Sequence, residues 1–407
     1  MKNHPNYKWY ILILTALTGA FAIAAPFMSM SVLFGEISAE LQLDLGQVGL
    51  IWGIGSLPGF FSSLLVGAVI DRFGPKRVIL WAILLLAMAG AARGLAGSFP
   101  FLLGAVLVFG MLAPAISTSS FKICSLWFPS RQLGLANGVF AMGMALGFFL
   151  SALLSANVLS VWLGGWRQVM FFYGGVAALL CIPWIFAASA PKASESGTSV
   201  AFNIPMRQAL SHVVRLRNVW LLGITLMGMS GCMQGLTGYL PTYLRSVGWP
   251  GTQADGALSL FHAMSMGFVL PFAMLSDRLK VRKPLLVVMV AVHVLGGGLL
   301  SVANGPLVWG VVMLMGLVRD GSMAVVTAMI IESPGVGPVY AGSATGFSFS
   351  LLAIANLLSP SLGNRLAESA PALPFAFWAG LAGMGLLALL FVNQPQPKPE
   401  LLYGQSR

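Results

Sequence analysis

The 407-residue chain is 57% hydrophobic and only 8% charged, with a formal net charge of +11. A soluble domain carries roughly 25% charged residues because its surface faces water, so a chain this long and this apolar must be covered by lipid. The basic residues sit in short clusters between apolar runs and form no continuous face, which excludes nucleic acid as a partner.

A membrane span takes roughly 20 apolar residues. The first such run, 9–34, follows Lys2 and Lys8, and Ala20-Phe21-Ala22 within it has the form of a cleavage site. The run is too long for the apolar core of a signal peptide and reads as an uncleaved first helix. Further runs follow at 47–70, 78–98, 101–126, 133–157 and 168–188. A polar stretch, 189–217, then carries Lys192, Glu195, Arg207, Arg215 and Arg217 and reads as a cytoplasmic linker. Six more runs lie at 218–243, 253–276, 284–304, 307–331, 341–364 and 373–393. The expected architecture is an all-α membrane protein of twelve transmembrane helices. They fall into two six-helix bundles, 1–188 and 218–407, the second ending in a short tail.

Lys and Arg in the loops set orientation. With the N-terminus cytoplasmic, 16 of these residues fall on the cytoplasmic side against 4 opposite, namely Arg93, Arg167, Arg245 and Arg365. Both termini are therefore expected in the cytoplasm of a cell whose inner membrane the chain crosses many times. Lys122 and Arg319 remain within the membrane. The halves echo each other: Asp71-Arg72 follows the second run and Asp277-Arg278 the eighth, while Gly134-x-x-x-Gly138 and Gly342-x-x-x-Gly346 open the fifth and eleventh. A parallel duplication of this kind places a transport site between the halves near the midplane.

The most specific stretch is Gly67-x-x-x-Asp71-Arg72-x-Gly74-x-Lys76-Arg77, a tight basic turn between two antiparallel spans. It resembles the loop signature of the major facilitator superfamily, at the loop where that family carries it. Trp127-Phe128-Pro129 through Gly138, and Gly164-Gly165-Trp166-Arg167, resemble two further junctions of the family. The second-half copy keeps Asp277-Arg278 and Arg282-Lys283 but has Ala273 and Lys280 in place of glycines. The resemblance implies movement of small solutes by alternating access, without enzymatic activity. It also implies a gating role for Gly67, Asp71, Arg72, Gly74 and Arg77, with Asp277 and Arg278 as their counterparts. Members lacking a partner subunit are the rule, so a monomer is expected.

Charges inside a span are costly, about 2.5–3.5 kcal/mol even on lenient scales, and so mark function. Arg319 and Asp320 sit at the centre of the tenth run, on a helix that the resemblance places against the cavity. Helix neighbours point about 100° apart, so both are not expected to face squarely inward. Arg319 reads as the contact for an anionic substrate and Asp320 as a proton carrier, or the two form an internal ion pair. Lys122 in the fourth run is either a second cation for the substrate or a lysine reaching the interface. His262 and His293 are mid-membrane histidines, read chiefly as structural, with His262 carried as a second proton-coupling candidate.

Gln234 and Tyr239 fall among Gly231, Gly235, Gly238 and Pro241, where a helix can bend, and are candidate substrate contacts together with Asn356. Ser117, Thr118, Ser119 and Ser120 form a hydroxyl-rich stretch. Gly143-x-x-x-Gly147 reads as a close helix contact. Three cysteines in apolar runs imply neither disulfide nor metal, and no cofactor is expected. The composite expectation is proton-coupled uptake of a small anion such as a carboxylate. Weaker likeness to the cyanate-like and nitrate-like branches, through Gln234 to Pro241, points the same way. Proton-coupled export of amphipathic compounds is the alternative.

Overall fold

The structure, a computed structural model, describes residues 6–187, 206–278 and 282–393, and among these every regular element is helical. Backbone groups inside lipid have no water to bond, so a chain that crosses it many times without a closed barrel must be helical. The elements, in order, are α1 (Tyr7–Leu41), α2 (Leu45–Gly53), α3 (Ser56–Phe73), α4 (Pro75–Leu95) and α5 (Phe99–Trp127). Then come α6 (Gln132–Leu163), α7 (Trp166–Phe186) and the short α8 (Met206–Val213). The last six are α9 (Arg217–Ser246), α10 (Gly251–Arg278), α11 (Lys283–Leu300), α12 (Pro306–Ile331), α13 (Val339–Leu366) and α14 (Leu373–Leu390). Among the described residues ten are long and apolar enough to cross a membrane, and Leu45–Phe73, bent by 51° after Ser63, makes an eleventh when taken as one span. The helix α10 occupies the place of the eighth expected run. Most of the expected linker, 189–205, lies outside the described residues, and α8 lies within its remainder.

Helix ends depart from the apolar runs for local reasons. The first run stops near Phe34, yet α1 continues through Glu36 and Glu40 to Leu41. Its extra turns are held by polar partners: Ser160 donates to Glu36 at 2.7 Å, and Arg167 donates to Glu40 at 2.9 Å. Gln42 ends the helix with φ of 53°, and the Leu43 amide reaches back to the Ser38 carbonyl at 3.0 Å. The left-handed residue followed by this backward bond is a recurrent helix stop. Asp44 and Gln47 then cap α2 reciprocally, at 2.7 and 3.1 Å.

Close backbone approach decides which helices pair. A Cβ on Gly143 would meet the Ala16 carbonyl oxygen at 2.5 Å, and one on Gly147 would collide with the carbonyl of Ala20. The expected small-residue contact therefore joins α6 to α1, with a π-helical turn, Gly19–Ala24, on the α1 side. Between the first and second halves of the chain, glycines work the same way. Gly49 lies against Pro360, at 2.5 Å from its oxygen to an added Cβ, and Gly53 lies against Leu357.

Polar contacts reinforce this junction. Ser31 donates to the Thr237 carbonyl at 2.5 Å and the Trp52 indole to the Gln234 carbonyl at 2.7 Å. The Asn157 amide and Arg245 both donate to Asp255, at 2.8 and 2.6 Å, and Asp255 is fully buried. All of these contacts lie toward the Gln42 end of the bundle, whereas the Asp71 turn lies at the other.

Gly147→Leu forces α1 and α6 apart, and overpacking of this kind costs about 1–3 kcal/mol. Thermal unfolding of the purified protein in detergent should show a lowered Tm. The control Gly104→Leu faces open space and should leave it unchanged; equal shifts in both would count against this contact as a determinant of the bundle.

Candidate functional site

Halfway along α12, Arg319 and Asp320 interrupt an otherwise apolar helix. Their side chains meet: Arg319 Nη1 donates to Asp320 Oδ1 at 3.0 Å, and Ser265 of α10 donates to Asp320 Oδ2 at 2.5 Å. The Arg319 side chain is 26% exposed and that of Asp320 30%. They are thus neither in bulk water nor sealed in the core.

Both line one cavity of about 270 Å³, together with Ser230, Gln234 and Thr237 of α9 and Asn356 of α13. Three methionines, Met229, Met233 and Met323, complete much of the wall. Both neighbours reach this wall because the long Arg319 side chain folds toward the Asp320 carboxylate, as an internal ion pair. Asn356 accepts from Ser230 at 2.9 Å, and Gln234 donates to the Trp52 carbonyl at 3.3 Å.

The guanidinium also touches the first half of the chain. Its Cζ lies 5.6 Å from the ring centre of Phe148 and 5.9 Å from that of Phe261, both within reach of a cation–π interaction. Phe148 packs against Phe27 at 6.4 Å, and Phe27 against Trp52 at 4.4 Å. Phe27 in turn lines a second cavity, about 410 Å³, whose walls include Ile23, Val106, Phe109, Ala113 and Pro114 with the hydroxyls of Ser56, Ser63, Ser117 and Thr118. Among the described residues, these four hydroxyl-bearing ones are the only polar side chains on that wall.

Other residues singled out in the sequence fall elsewhere. Lys122 lies one turn beyond Thr118 and pairs with Asp71 at 3.6 Å, with 48% and 72% of the two side chains exposed. It is on the wall of neither cavity described above, and the pair ties the end of α5 to the end of α3. Tyr239 is buried and donates to the Pro371 carbonyl at 3.0 Å, packed among Tyr243, Phe375 and Trp378. The glycine-rich stretch around it lies within one continuous helix, Arg217–Ser246. Gly235 leaves room for the Trp378 ring, and Gly238 for that of Trp52.

His262 is fully buried between Phe148 and Phe261, each 5.2 Å away, so it shares both rings with Arg319. Neither of its ring nitrogens has a hydrogen-bond partner. His293 bonds the Met289 carbonyl of its own helix at 2.8 Å.

The 67–77 turn has the geometry its glycine calls for. Gly74 ends α3 with φ of 81°, and its amide reaches the Ile70 carbonyl at 2.8 Å. Arg72 stacks near Phe73, and Lys76 donates to the carbonyls of Ile185 and Ala187 at the end of α7. Gly67 has open space around it, and Arg77 is exposed. Asp277 and Arg278 close α10, with side chains outside the described residues.

The sequence reading passed over Asp255, Ser265, Trp52 and Phe148. Asp255 carried a signal, an acid just inside the eighth run; the other three carried none, because only the packing of distant helices brings them to this site. Among the described residues, no cluster of His, Cys, Asp and Glu could hold a metal ion.

Known proteins share both sequence and shape with this chain. It is 27% identical over 373 residues to the 3-(3-hydroxy-phenyl)propionate transporter of Escherichia coli K12, covering 89% of this chain and 90% of that protein. It is 26% identical over 396 residues to the probable sulfoacetate transporter SauU of Cupriavidus necator, covering 90% and 89%. In shape it matches a crystal structure of the nucleoside transporter NupG with a TM-score of 0.77, at 14% identity, across 96% of this chain and all of that one. The sequence model of the Major Facilitator Superfamily matches residues 15–360, and this multi-pass membrane protein belongs to that superfamily of transporters.

Proposed function

We propose that the protein takes up a small organic anion by proton symport across the inner membrane, through alternating access. The observation that carries this reading is Arg319, a cation in the middle of a membrane-crossing helix that is partly exposed to a cavity and, among the described residues, paired with Asp320. Two of the relatives described above are named for organic anions, 3-(3-hydroxyphenyl)propionate and sulfoacetate.

Electrostatics couples the two solutes. With Asp320 ionised, the pair is neutral, and a substrate carboxylate would bring one uncompensated negative charge into a site of low dielectric. With a proton on Asp320, Arg319 is free to form a bidentate pair with the substrate, and the occupied site is neutral again. Proton and anion then enter together because either one alone leaves net charge in the membrane. Ser265, which donates to Asp320 here, can accept from the protonated acid by rotating its hydroxyl. Gln234 and Asn356 supply neutral polar contacts at the same wall. His262, which shares its two aromatic neighbours with Arg319, remains a second candidate for proton coupling.

The halves meet at the Gln42 end, so the site communicates with the Asp71 end, which we read as cytoplasmic. In the opposite state, the 67–77 turn and its counterpart ending at Arg278 come together. Asp71, held here by Lys122, is the acid available to change partners when they do.

Uptake of labelled carboxylates into proteoliposomes, with and without an inward proton gradient, tests this reading. Truncating one partner of a buried charged contact typically costs about 2–5 kcal/mol, so Arg319→Ala should reduce uptake at least about thirtyfold. Normal uptake by Arg319→Ala would remove Arg319 from the site. A neutral side chain at position 320 cannot release a proton. Asp320→Asn should therefore keep exchange of labelled for unlabelled anion and lose stimulation by the gradient; a variant still driven by the gradient would assign coupling to another group.

A further inference from the structure

Resting on the anion-transport reading, we infer that the substrate is a monoanion with a sizeable apolar body, and that the 410 Å³ cavity of the first half is the subsite for that body.

The two cavities differ in chemistry. The second-half wall holds one cation, one acid and four uncharged polar side chains. The first-half wall holds carbon, chiefly Phe27, Phe109, Ala113 and Pro114, and hydroxyls. One of those hydroxyls, Ser63, already donates to the Phe60 carbonyl at 2.7 Å. Aromatic rings link the two walls: Phe27 lines the first and packs on Phe148, which carries the Arg319 guanidinium. A molecule with its carboxylate on Arg319 therefore projects its remainder past Phe148 and Phe27 into an apolar space.

Size and charge narrow the class. Liquid water occupies about 30 Å³ per molecule, so the first-half cavity has room for on the order of a dozen waters beside walls that offer few partners. Displacing poorly bonded water with an apolar group gains affinity. A short acid such as acetate fills only the Arg319 end and forgoes that gain. A dianion needs a second cation, and among the described residues neither cavity wall has one. Arg93 is the buried cation nearest in chemistry. It donates to the carbonyls of Pro26 and Gly90, lies 4.3 Å from the Phe109 ring centre, and leaves only Nη2 unpaired. It touches the back of the wall without forming part of it, so a second carboxylate would have to displace Phe109 to reach it.

The test is competition by unlabelled compounds, measured both as inhibition of uptake and as thermal stabilisation of the full chain in detergent. The probes are acetate, 3-phenylpropionate, its uncharged analogue 3-phenylpropanol, and glutarate. Burial of the ring should make 3-phenylpropionate at least about thirtyfold more effective than acetate, with phenylpropanol and glutarate weaker than 3-phenylpropionate by a similar factor. Acetate or glutarate matching 3-phenylpropionate would overturn the apolar subsite while leaving anion transport intact. Phenylpropanol binding as well as 3-phenylpropionate, with neither acid taken up, would overturn both.

A variant separates the cavity from general hydrophobicity. Ala113→Phe fills the space and should raise the half-inhibiting concentration of 3-phenylpropionate about tenfold or more, with that of acetate changed less than about twofold. If both acids shift together, or if neither shifts, the first-half cavity is not the subsite. Wild-type competition reads the same question where the variant fails to fold.

Discussion

A guanidinium cannot sit alone inside lipid, and the pairing of Arg319 with Asp320 is the constraint around which the middle of the protein is arranged. The ion pair is only 3.0 Å long and partly open to a cavity. A fully enclosed pair would bear an unrecovered desolvation cost and stay locked. Partial exposure lets solvent offset that cost and leaves room for another anion. Phe148 and Phe261 supply rings on which the cation rests, and Ser265 occupies the carboxylate oxygen that Arg319 does not. Phe148 comes from α6, and Phe261 and Ser265 from α10, so the pair on α12 ties these three helices together.

The closed end of the bundle depends on a different economy, that of missing side chains. Gly49, Gly53 and Gly238 bring backbone or indole from one half to within contact of the other. Hydrogen bonds from Ser31, Trp52 and Asn157 then cross the junction. Association between helices in lipid gains little from hydrophobicity and relies on packing and interhelical bonds. A seal of this kind is separable because it buries little that lipid or water would not also accommodate. Asp255 is the exception. It is fully buried, receives Arg245 and Asn157 on one oxygen, and leaves the other unpaired. It is the most polar commitment in the junction.

Much of this was legible from residue order alone. The apolar runs place nearly every helix, because a 20-residue apolar run has no other stable form in a membrane. The turn at Gly74 was legible because its φ of 81° suits glycine. Arg319, Asp320, Gln234 and Asn356 were all flagged, and all four line one cavity. Polarity inside a span is such a strong signal that it finds the wall without knowledge of the partners. The same signal misplaced Tyr239, whose hydroxyl is satisfied by Pro371 in a packed aromatic cluster. Glycine beside a polar residue reads as a bend in sequence, yet around Tyr239 glycine marks where a tryptophan from another helix must fit. Nothing local distinguishes the two, since Trp52 and Trp378 are far away along the chain. Lys122 was ambiguous for the same reason: its partner Asp71 belongs to another loop.

The division of labour between the cavities bears on how alternating access could be driven. The second half holds nearly all the charge that would recognise an anion, and the first half holds mostly carbon. An anion with an apolar body bound to either half alone would leave part of itself unmatched: its ring in water, or its carboxylate against an apolar wall. Only a state in which both halves close on it satisfies head and body together. Binding energy is then greatest in the occluded intermediate between the two open states, which is where a carrier must lower its barrier. A carrier whose whole site lay in one half would bind equally well in every state, and a ligand with equal affinity for two states shifts neither. The asymmetry of the walls would therefore couple occupancy to movement, with the proton on Asp320 deciding whether the occupied site is neutral enough to cross.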